Sequence, residues 1–196
     1  MMPIYREIKL FDDTGISLGF IWQKLYERLH IALVPLKDAD GCVPVGFTFP
    51  GYKSDIFPLG NRLRIFAPDE SKLKQLNLGR VLSELSDYTV VSEIRETPAS
   101  HRHVIFRRKQ FKTNPQRMAK RYAKRHGITL EEALKRYSSY DAEEIIEKNR
   151  LPYFNLNSLS TGQRTRVFIE KKASIHRQEG LFNTFGLSKG ATLPDF

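Results

Sequence analysis

The sequence predicts an α+β fold, with a ferredoxin-like N-terminal domain over residues 1–96. A C-terminal domain over residues 97–196 is expected to carry an arginine-rich helix and a small antiparallel sheet. Three observations predict this fold: alternating strand-like and helix-like hydrophobic periods before residue 97, a basic stretch after it, and an extended pattern beyond residue 153. A length of 196 residues, 40% of them hydrophobic, suits one large or two small globular domains.

The elements of the N-terminal half follow the order β-α-β-β-α-β. Apolar residues at alternate positions predict strands near 3–10, 43–49, 63–65 and 88–94, with Pro44 weakening the second. Apolar residues at helical spacing predict helices over 17–34 and 69–78, the latter closed by Gly79. This is the order of the ferredoxin-like fold, which many RNA-binding and unrelated proteins share.

The second half of the chain begins with an extended segment over 104–111. Asn114 and Pro115 then indicate a helix start, because Asn caps free amides and Pro suits the first helical position, and Gly127 indicates its end. Thr129 and Glu132 have the spacing of a capping box for a second helix to about residue 136. A third short helix is expected over 141–149, followed by strands near 164–171 and 181–185.

The positive charge is concentrated in one segment of the chain. The net charge is +10, and the stretch 97–130 holds ten of the 32 Lys and Arg residues without one Asp or Glu. The rest of the chain is neutral. A basic block on a neutral body is typical of a protein that binds a polyanion, and nucleic acid is the leading candidate. A solvated basic face is the alternative, and no strongly apolar face accompanies the charge to favour a membrane surface.

Several classes of function lack support in the sequence. No apolar run is long enough for a membrane span, and Glu7 stands where a signal peptide is apolar, so we expect a cytoplasmic protein. With Cys42 as the single cysteine and no metal-ligand spacing, we expect no disulfide, metal or other cofactor. Residues 186–190 have the form of a nucleophile elbow around Ser188, but no histidine follows, so we predict a turn.

The helix predicted over 115–126 has two distinct faces. At 100° per residue, five cations share one face and Met118, Ala119, Tyr122 and Ala123 share the other. The cations are Arg117, Lys120, Arg121, Lys124 and Arg125. Such a face suits the two lines of phosphates along a groove. Upstream, Arg108 and Gln110 are expected to point the same way from an extended segment, and these residue types pair with guanine and adenine.

Three motif blocks in the C-terminal half resemble a known family. They are Ser158-Leu159-Ser160-Thr161-Gly162-Gln163, Arg166-Val167-Phe168-Ile169 and Phe185-Gly186-Leu187-Ser188-Lys189-Gly190. Asn114-Pro115 before an arginine-rich helix and the run Leu29-His30-Ile31-Ala32-Leu33-Val34 match the family as well. On these residues the chain resembles the type I-F CRISPR repeat endoribonucleases, the Csy-type enzymes that process crRNA.

The resemblance implies a metal-independent, cofactor-free endoribonuclease that binds the stem-loop of CRISPR repeat RNA with its basic helix in the major groove. The enzyme would cut at the 3′ side of the stem to generate mature crRNA. Attack by a ribose 2′-OH would leave a 2′,3′-cyclic phosphate and a 5′-OH. The protein would act as a monomer on RNA, retain the product, and join other CRISPR-associated proteins of a type I-F effector complex. Its setting would be antiviral defence in a prokaryotic cytoplasm.

The resemblance also assigns roles to individual residues. His30 and Ser158 would be catalytic. The residues that would bind RNA are Arg108, Gln110, Lys112, Asn114, Arg117, Lys120, Arg121, Lys124, Arg125, Ser160, Thr161, Gln163 and Phe185. Phe185 stands where the family has a tyrosine beside the histidine, so another group must orient the imidazole. Thr165 stands where the family has a phenylalanine that stacks on the hairpin base; either Tyr153 or Phe154 replaces it, or that contact is weaker.

Without the resemblance, the residues support a weaker conclusion. Histidine exchanges a proton near neutral pH, but a lone histidine beside an apolar helix face is usually structural. A Ser/Thr/Gly run such as 158–163 is usually a turn. A non-catalytic protein that binds structured RNA would look the same, and a DNA-binding helix-turn-helix over 115–136 is the third interpretation. Against the latter, the cations line its first helix, whereas bases are normally read by the second.

Overall fold

The computed structural model describes residues 2–13, 15–99, 102–111, 115–137, 150–157 and 162–196. Helices and antiparallel sheets are mixed along the chain, which confirms the predicted α+β class. The chain groups into two compact units, residues 1–108 with 152–196, and residues 109–151. The domains 1–96 and 97–196 stay a prediction. The two compact units have other boundaries, because strands from both halves of the chain share one hydrophobic core.

The first part of the larger unit is built around one antiparallel sheet. Its elements are β1 (Ile4–Leu10), α1 (Leu18–Leu33), β2 (Cys42–Val43), β3 (Gly46–Thr48), β4 (Arg62–Ala67), α2 (Glu70–Gln75), α3 (Leu78–Val81), β5 (Thr89–Val91) and β6 (Arg95–Glu96). The sheet has the order β3-β4-β1-β5, and β6 also pairs with β1. Every pairing in it is antiparallel.

The rest of the described chain adds two further sheets and two helices. The elements are β7 (Arg102–Lys109), α4 (Pro115–His126), α5 (Leu130–Tyr137), β8 (Tyr153–Asn157), β9 (Arg164–Ser174), β10 (Phe182–Asn183) and β11 (Leu193–Asp195). One sheet has the order β11-β7-β9-β8, and β10 pairs with β2 in the other. The helix predicted over 141–149 lies outside the described residues. No helix in the described ranges is long and apolar enough to cross a membrane.

Helix α1 forms where its hydrophobic period predicts it. The Ser17 hydroxyl accepts from the Phe20 N–H at the N-cap, so the helix starts one residue later. Its apolar stripe, which includes Trp22, Leu25 and Leu29, is fully buried in the core. His30 follows Leu29 at the border of that stripe and is half-buried. Because the stripe is buried in the core, the rotation of α1 about its axis is fixed, and His30 is held at the edge of the core.

Two predicted elements are divided in the structure. The single strand predicted over 43–49 is wrong: β2 ends at Val43 and β3 starts at Gly46, because Pro44 has no N–H to continue the ladder. A Cβ on Gly46 would lie 2.6 Å from the Phe182 ring, so a glycine is required where β3 passes that side chain. The helix predicted over 69–78 is confirmed at its start but wrong at its end, since α2 ends at Gln75 and Asn77 adopts a left-handed conformation with φ 43° before α3, which contains Gly79.

The smaller unit contains the two helices that its capping residues predict. Helix α4 ends before Gly127, which has φ 65°. At the start of α5, the Thr129 N–H donates to Glu132 Oε2 at 3.0 Å and the Glu132 N–H donates to Thr129 Oγ1 at 3.2 Å. The pKa of the Glu132 carboxyl is lowered below its ordinary value by the bond from the Thr129 N–H, the larger cause, and by a second bond from the Thr129 hydroxyl at 2.8 Å. Ala119 and Ala133, one from each helix, are buried.

Candidate functional site

The imidazole of His30 is oriented by a backbone carbonyl. Its Nδ1 lies 2.8 Å from the carbonyl oxygen of Thr184, in the turn that follows β10. Because a carbonyl oxygen can only accept, the hydrogen must be on Nδ1, which leaves a lone pair on Nε2 in the neutral ring. This carbonyl is the orienting group that Phe185 cannot supply. The sequence carries no signal for it, since every residue has a backbone carbonyl.

Phe185 contacts both His30 and Arg108. Its ring is nearly parallel to the imidazole, at an interplanar angle of 8° and with 4.4 Å between the centroids. The guanidinium carbon of Arg108 lies 5.4 Å from the centroid of Phe185. Residues predicted for catalysis and for base recognition are therefore brought together around one aromatic side chain.

Arg108 is half-buried near the end of β7. Desolvation by burial lowers the pKa of its guanidinium from the ordinary value. A guanidinium that has lost part of its hydration gains more from a phosphate or base edge that accepts its hydrogen bonds. Gln110 is exposed and lies beyond the last strand residue, so the strand alternation that predicted its common direction with Arg108 does not reach it.

The turn that carries Thr184 and Phe185 is packed against β3. Gly186 has φ 68°, and a Cβ added there would lie 2.4 Å from the ring of Phe47. The N–H of Phe47 donates to the Gly186 carbonyl at 2.8 Å. Only glycine combines this backbone conformation with so close an approach. Gly186, which belongs to the third motif block, therefore allows the turn to pack closely against Phe47 of β3.

The loop expected to contain the catalytic serine connects β8 to β9, whose ends pair as Asn157 with Arg164. Ser158, Ser160 and Thr161 lie outside the described residues, as do Lys112 and Asn114. The Asn157 N–H donates to Glu27 Oε1 at 3.4 Å. Glu27 is on α1, three residues before His30, and residues three apart share a helix face. Gln163, at the far end of the loop, is exposed.

The basic helix α4 has the two faces that its sequence predicts. The five cations Arg117, Lys120, Arg121, Lys124 and Arg125 are all exposed. On the opposite face, Ala119 is buried and Met118, Tyr122 and Ala123 are half-buried. The Tyr122 ring packs against His126, with 4.2 Å between the centroids, and the guanidinium of Arg136 lies 5.0 Å from it. The aromatic packing of this unit therefore leaves the cationic face to solvent.

The two aromatic residues considered as replacements at the hairpin base differ in the structure. Phe154 is 2% exposed and stacks on Tyr26 in the core, so the expectation that it stacks on RNA is wrong. Its direction follows from strand alternation, which turns Phe154 inward and Tyr153 outward. Tyr153 is half-buried, and the Arg166 guanidinium lies 4.8 Å from its ring. Thr165 is exposed.

Ser188 has a structural role, as its sequence context predicts. Its hydroxyl donates to the Ala191 carbonyl at 2.6 Å and accepts from the Gly190 N–H at 2.8 Å, which closes the turn from Ser188 to Ala191. Within the described ranges, no group of three or more His, Cys, Asp or Glu side chains is close enough to hold a metal ion.

Comparison with known proteins decides the family. A family model described as CRISPR-associated protein (Cas_Csy4) matches residues 5–196. The chain belongs to the Cas_Csy4 family. Two relatives carry the name CRISPR-associated endonuclease Cas6/Csy4. The protein from Pseudomonas aeruginosa (strain UCBPP-PA14) is 34% identical over 196 residues, which is the whole of both chains. The protein from Escherichia coli (strain UTI89 / UPEC) is 30% identical over the same span, again with full coverage of both. The resemblance in the motif blocks is thereby confirmed.

Proposed function

We propose that this protein is a metal-independent endoribonuclease that binds the CRISPR repeat RNA stem-loop and cleaves it at the 3′ side of the stem to generate mature crRNA. The observation that carries the proposal is the imidazole of His30, whose Nδ1 is held by the Thr184 carbonyl so that Nε2 is left to exchange a proton. The Cas_Csy4 relatives, which are named endonucleases, support the reaction class.

The reaction is a transesterification within the RNA. Nε2 of His30 takes the proton of the ribose 2′-OH as the 2′-oxygen attacks the adjacent phosphorus. The bond from phosphorus to the 5′-oxygen breaks, and that oxygen is protonated by the solvent or by the imidazolium. The products are a 2′,3′-cyclic phosphate and a 5′-OH, with no net gain or loss of protons. A positioned base of this kind contributes typically about 10²–10⁴-fold to the rate.

Ser158 is proposed to hold the 2′-oxygen in line with the phosphorus. Support comes from the preceding residue, because Asn157 is bonded to Glu27 on the same helix face as His30. The serine thus follows directly on a residue that is held near the catalytic histidine. Orientation of a nucleophile lowers the barrier by removing freedom that would otherwise be lost in the transition state.

The RNA stem is proposed to bind the cationic face of α4, with Arg108 and Gln110 reading base edges in its major groove. The five exposed cations of α4 support the first role, since no acidic residue occurs from 97 to 130 to oppose a phosphate. Burial of Arg108 beside Phe185 supports the second, because a partly desolvated, stacked guanidinium has a defined direction. Lys112, Asn114, Ser160, Thr161 and Gln163 are proposed to add further RNA contacts.

The remaining proposals concern the setting of the reaction. The sheet order β3-β4-β1-β5, antiparallel throughout, is that expected of a ferredoxin-like domain and supports that assignment. We propose that the enzyme acts as a monomer on RNA in the prokaryotic cytoplasm and retains the cleaved hairpin. Retention would seed a type I-F effector complex with other CRISPR-associated proteins.

One experiment tests the proposal directly. An end-labelled repeat hairpin is incubated with the protein in EDTA, in parallel with a hairpin that carries 2′-deoxyribose at the scissile nucleotide. We expect a single cut in the ribose substrate that leaves a cyclic phosphate, and binding without cleavage for the deoxy substrate. Cleavage of the deoxy substrate would show that the nucleophile is not the 2′-OH. Binding with no cleavage of either substrate would favour a non-catalytic RNA-binding protein.

A further inference from the structure

The turn of residues 183–187 is held together by one side chain. Asn183 Oδ1 accepts from two backbone N–H groups, that of Phe185 at 2.9 Å and that of Leu187 at 3.2 Å. The backbone of Asn183 closes the same turn, since its N–H donates to the Leu187 carbonyl and its carbonyl accepts from Gly186. An asparagine side chain that bonds the N–H two residues on is a recognised stabiliser of turns.

This turn supplies both groups that contact the His30 imidazole. The carbonyl of Thr184 accepts from Nδ1, and the ring of Phe185 lies parallel to the imidazole. Thr184 and Phe185 both lie inside the loop that Asn183 Oδ1 closes. Any change in that loop therefore moves the acceptor and the stacked ring together.

We propose that Asn183 is a positioning residue for the cleavage reaction, acting on His30 through the Thr184 carbonyl and the Phe185 ring. The inference rests on the proposed function of His30 and adds the residue that sets its tautomer. With the turn intact, the hydrogen stays on Nδ1 and Nε2 is free to accept the 2′-OH proton. Without the two bonds to Asn183, the Thr184 carbonyl loses its fixed direction and the imidazole samples the wrong tautomer and orientation.

The chain offers a matched set of variants for this proposal. Asn183→Ala removes the side-chain acceptor, whereas Asn183→Asp keeps an oxygen in its place. Asn61→Ala makes the same truncation at a half-buried asparagine outside the turn and leaves the groups around His30 in place. A loss specific to the Asn183 acceptor should therefore appear in the first variant alone.

The first measurement is single-turnover cleavage at saturating protein, together with hairpin affinity. We expect Asn183→Ala to slow cleavage by about tenfold to a hundredfold, the cost of a misplaced catalytic group, while affinity stays unchanged. Asn183→Asp should recover most of the rate, and Asn61→Ala should cleave like the wild type. If Asn61→Ala is as slow as Asn183→Ala, or if Asn183→Ala is as fast as the wild type, the proposal is wrong.

The second measurement does not depend on cleavage. Nitrogen-15 NMR of the imidazoles distinguishes the two neutral tautomers, and His30 is assigned among the five histidines by its loss in His30→Ala. We expect hydrogen on Nδ1 in the wild type and a mixture of tautomers in Asn183→Ala, with the remaining backbone spectrum preserved. An unchanged His30 signal in Asn183→Ala overturns the proposal. A wild type that shows the expected tautomer but cuts no RNA would refute the proposed function and leave the positional role intact.

Discussion

At the scale of single residues, the proposed chemistry depends on one nitrogen of His30. His30→Ala removes the proton acceptor, so we expect the cleavage rate to fall by about a hundredfold or more. Hairpin affinity should stay close to that of the wild type, because the exposed cations of α4 are proposed to supply the phosphate contacts. Single-turnover kinetics and equilibrium binding with the same labelled hairpin separate the two quantities. Equal losses in both would reassign His30 to RNA binding.

Phe185→Tyr tests the residue that departs from the family pattern. The Phe185 ring is nearly parallel to the imidazole, so a hydroxyl at its far end would lie in a plane stacked on the imidazole and not in the imidazole plane, where Nδ1 donates. Nδ1 already has its acceptor in Thr184. We therefore expect only a modest change in cleavage rate. A large gain, on the other hand, would show that the Thr184 carbonyl alone orients the imidazole poorly.

Arg108→Ala tests base recognition by a single side chain. If its guanidinium bonds one guanine through two hydrogen bonds, the variant should lose about 1–3 kcal/mol of preference at one base pair of the stem. Binding is measured on hairpins in which each stem pair is substituted in turn. Arg108→Lys serves as the control, because a lysine keeps the charge but not the paired donors. A uniform loss across all pairs would indicate a backbone contact.

The residues that the sequence identifies at the site depend on the resemblance to the family. By residue type alone a lone histidine such as His30 is usually structural, whereas the resemblance assigns His30 and Arg108, and the structure brings both against Phe185. The Thr184 carbonyl and the Asn183 amide could not be predicted from composition or spacing. Thr184 lies 154 positions from His30, and a turn of that kind leaves no periodic signal.

At the scale of elements, α4 carries a salt-dependent prediction. Arg121→Ala with Arg125→Ala removes two exposed cations from one face, so the slope of log K against log salt should become shallower by about two units. The control removes two lysines from α2, the half-buried Lys72 and the exposed Lys74, as Lys72→Ala with Lys74→Ala, and should leave the slope unchanged. Hairpin affinity is measured over a series of salt concentrations. Equal slopes for the wild type and the α4 variant would show that α4 does not bind phosphate.

Elements with strong local signals were predicted well from the sequence. The hydrophobic period over 17–34, the capping box at Thr129 and the stop at Gly127 correctly locate α1, α5 and the end of α4. Strand β11 was missed, because three residues with Pro194 among them carry too little pattern, and its pairing with β7 depends on distant residues. The division of the strand predicted over 43–49 follows from Pro44, whose effect was underestimated.

At the scale of the whole molecule, the shared core contains one unsatisfied polar group. Tyr26 is fully buried, and its hydroxyl has no hydrogen-bond partner among the described residues. Tyr26→Phe removes that group, so we expect the free energy of unfolding to rise by about 1 kcal/mol. Tyr52→Phe is the control with the opposite sign, because its hydroxyl donates to the Ile169 carbonyl at 2.8 Å. Urea melts of the three proteins measure the difference, and a lower stability for Tyr26→Phe would contradict the expectation.

The same hydroxyl gives a pH dependence. Burial raises the pKa of Tyr26 well above its ordinary value, so the folded protein keeps this proton where the unfolded chain releases it. The stability linked to Tyr26 is therefore complete below about pH 10 and is lost as the pH rises beyond it. Tyr26→Phe should unfold with a weaker dependence on pH in that range. Parallel pH dependence of the two proteins there would show that Tyr26 titrates normally.

The pairing of His30 with Thr184 also affects when the protein becomes active during its synthesis. The two residues are 154 positions apart. A ribosome that adds about 5–20 residues per second needs about 8–30 s to pass from one to the other. Throughout that interval the nascent chain already contains the proposed catalytic imidazole but not the acceptor that fixes its tautomer. On the proposed mechanism, the growing polypeptide would therefore cleave RNA, its own messenger included, more slowly than the finished protein until the 183–187 turn has been translated and has folded onto β3.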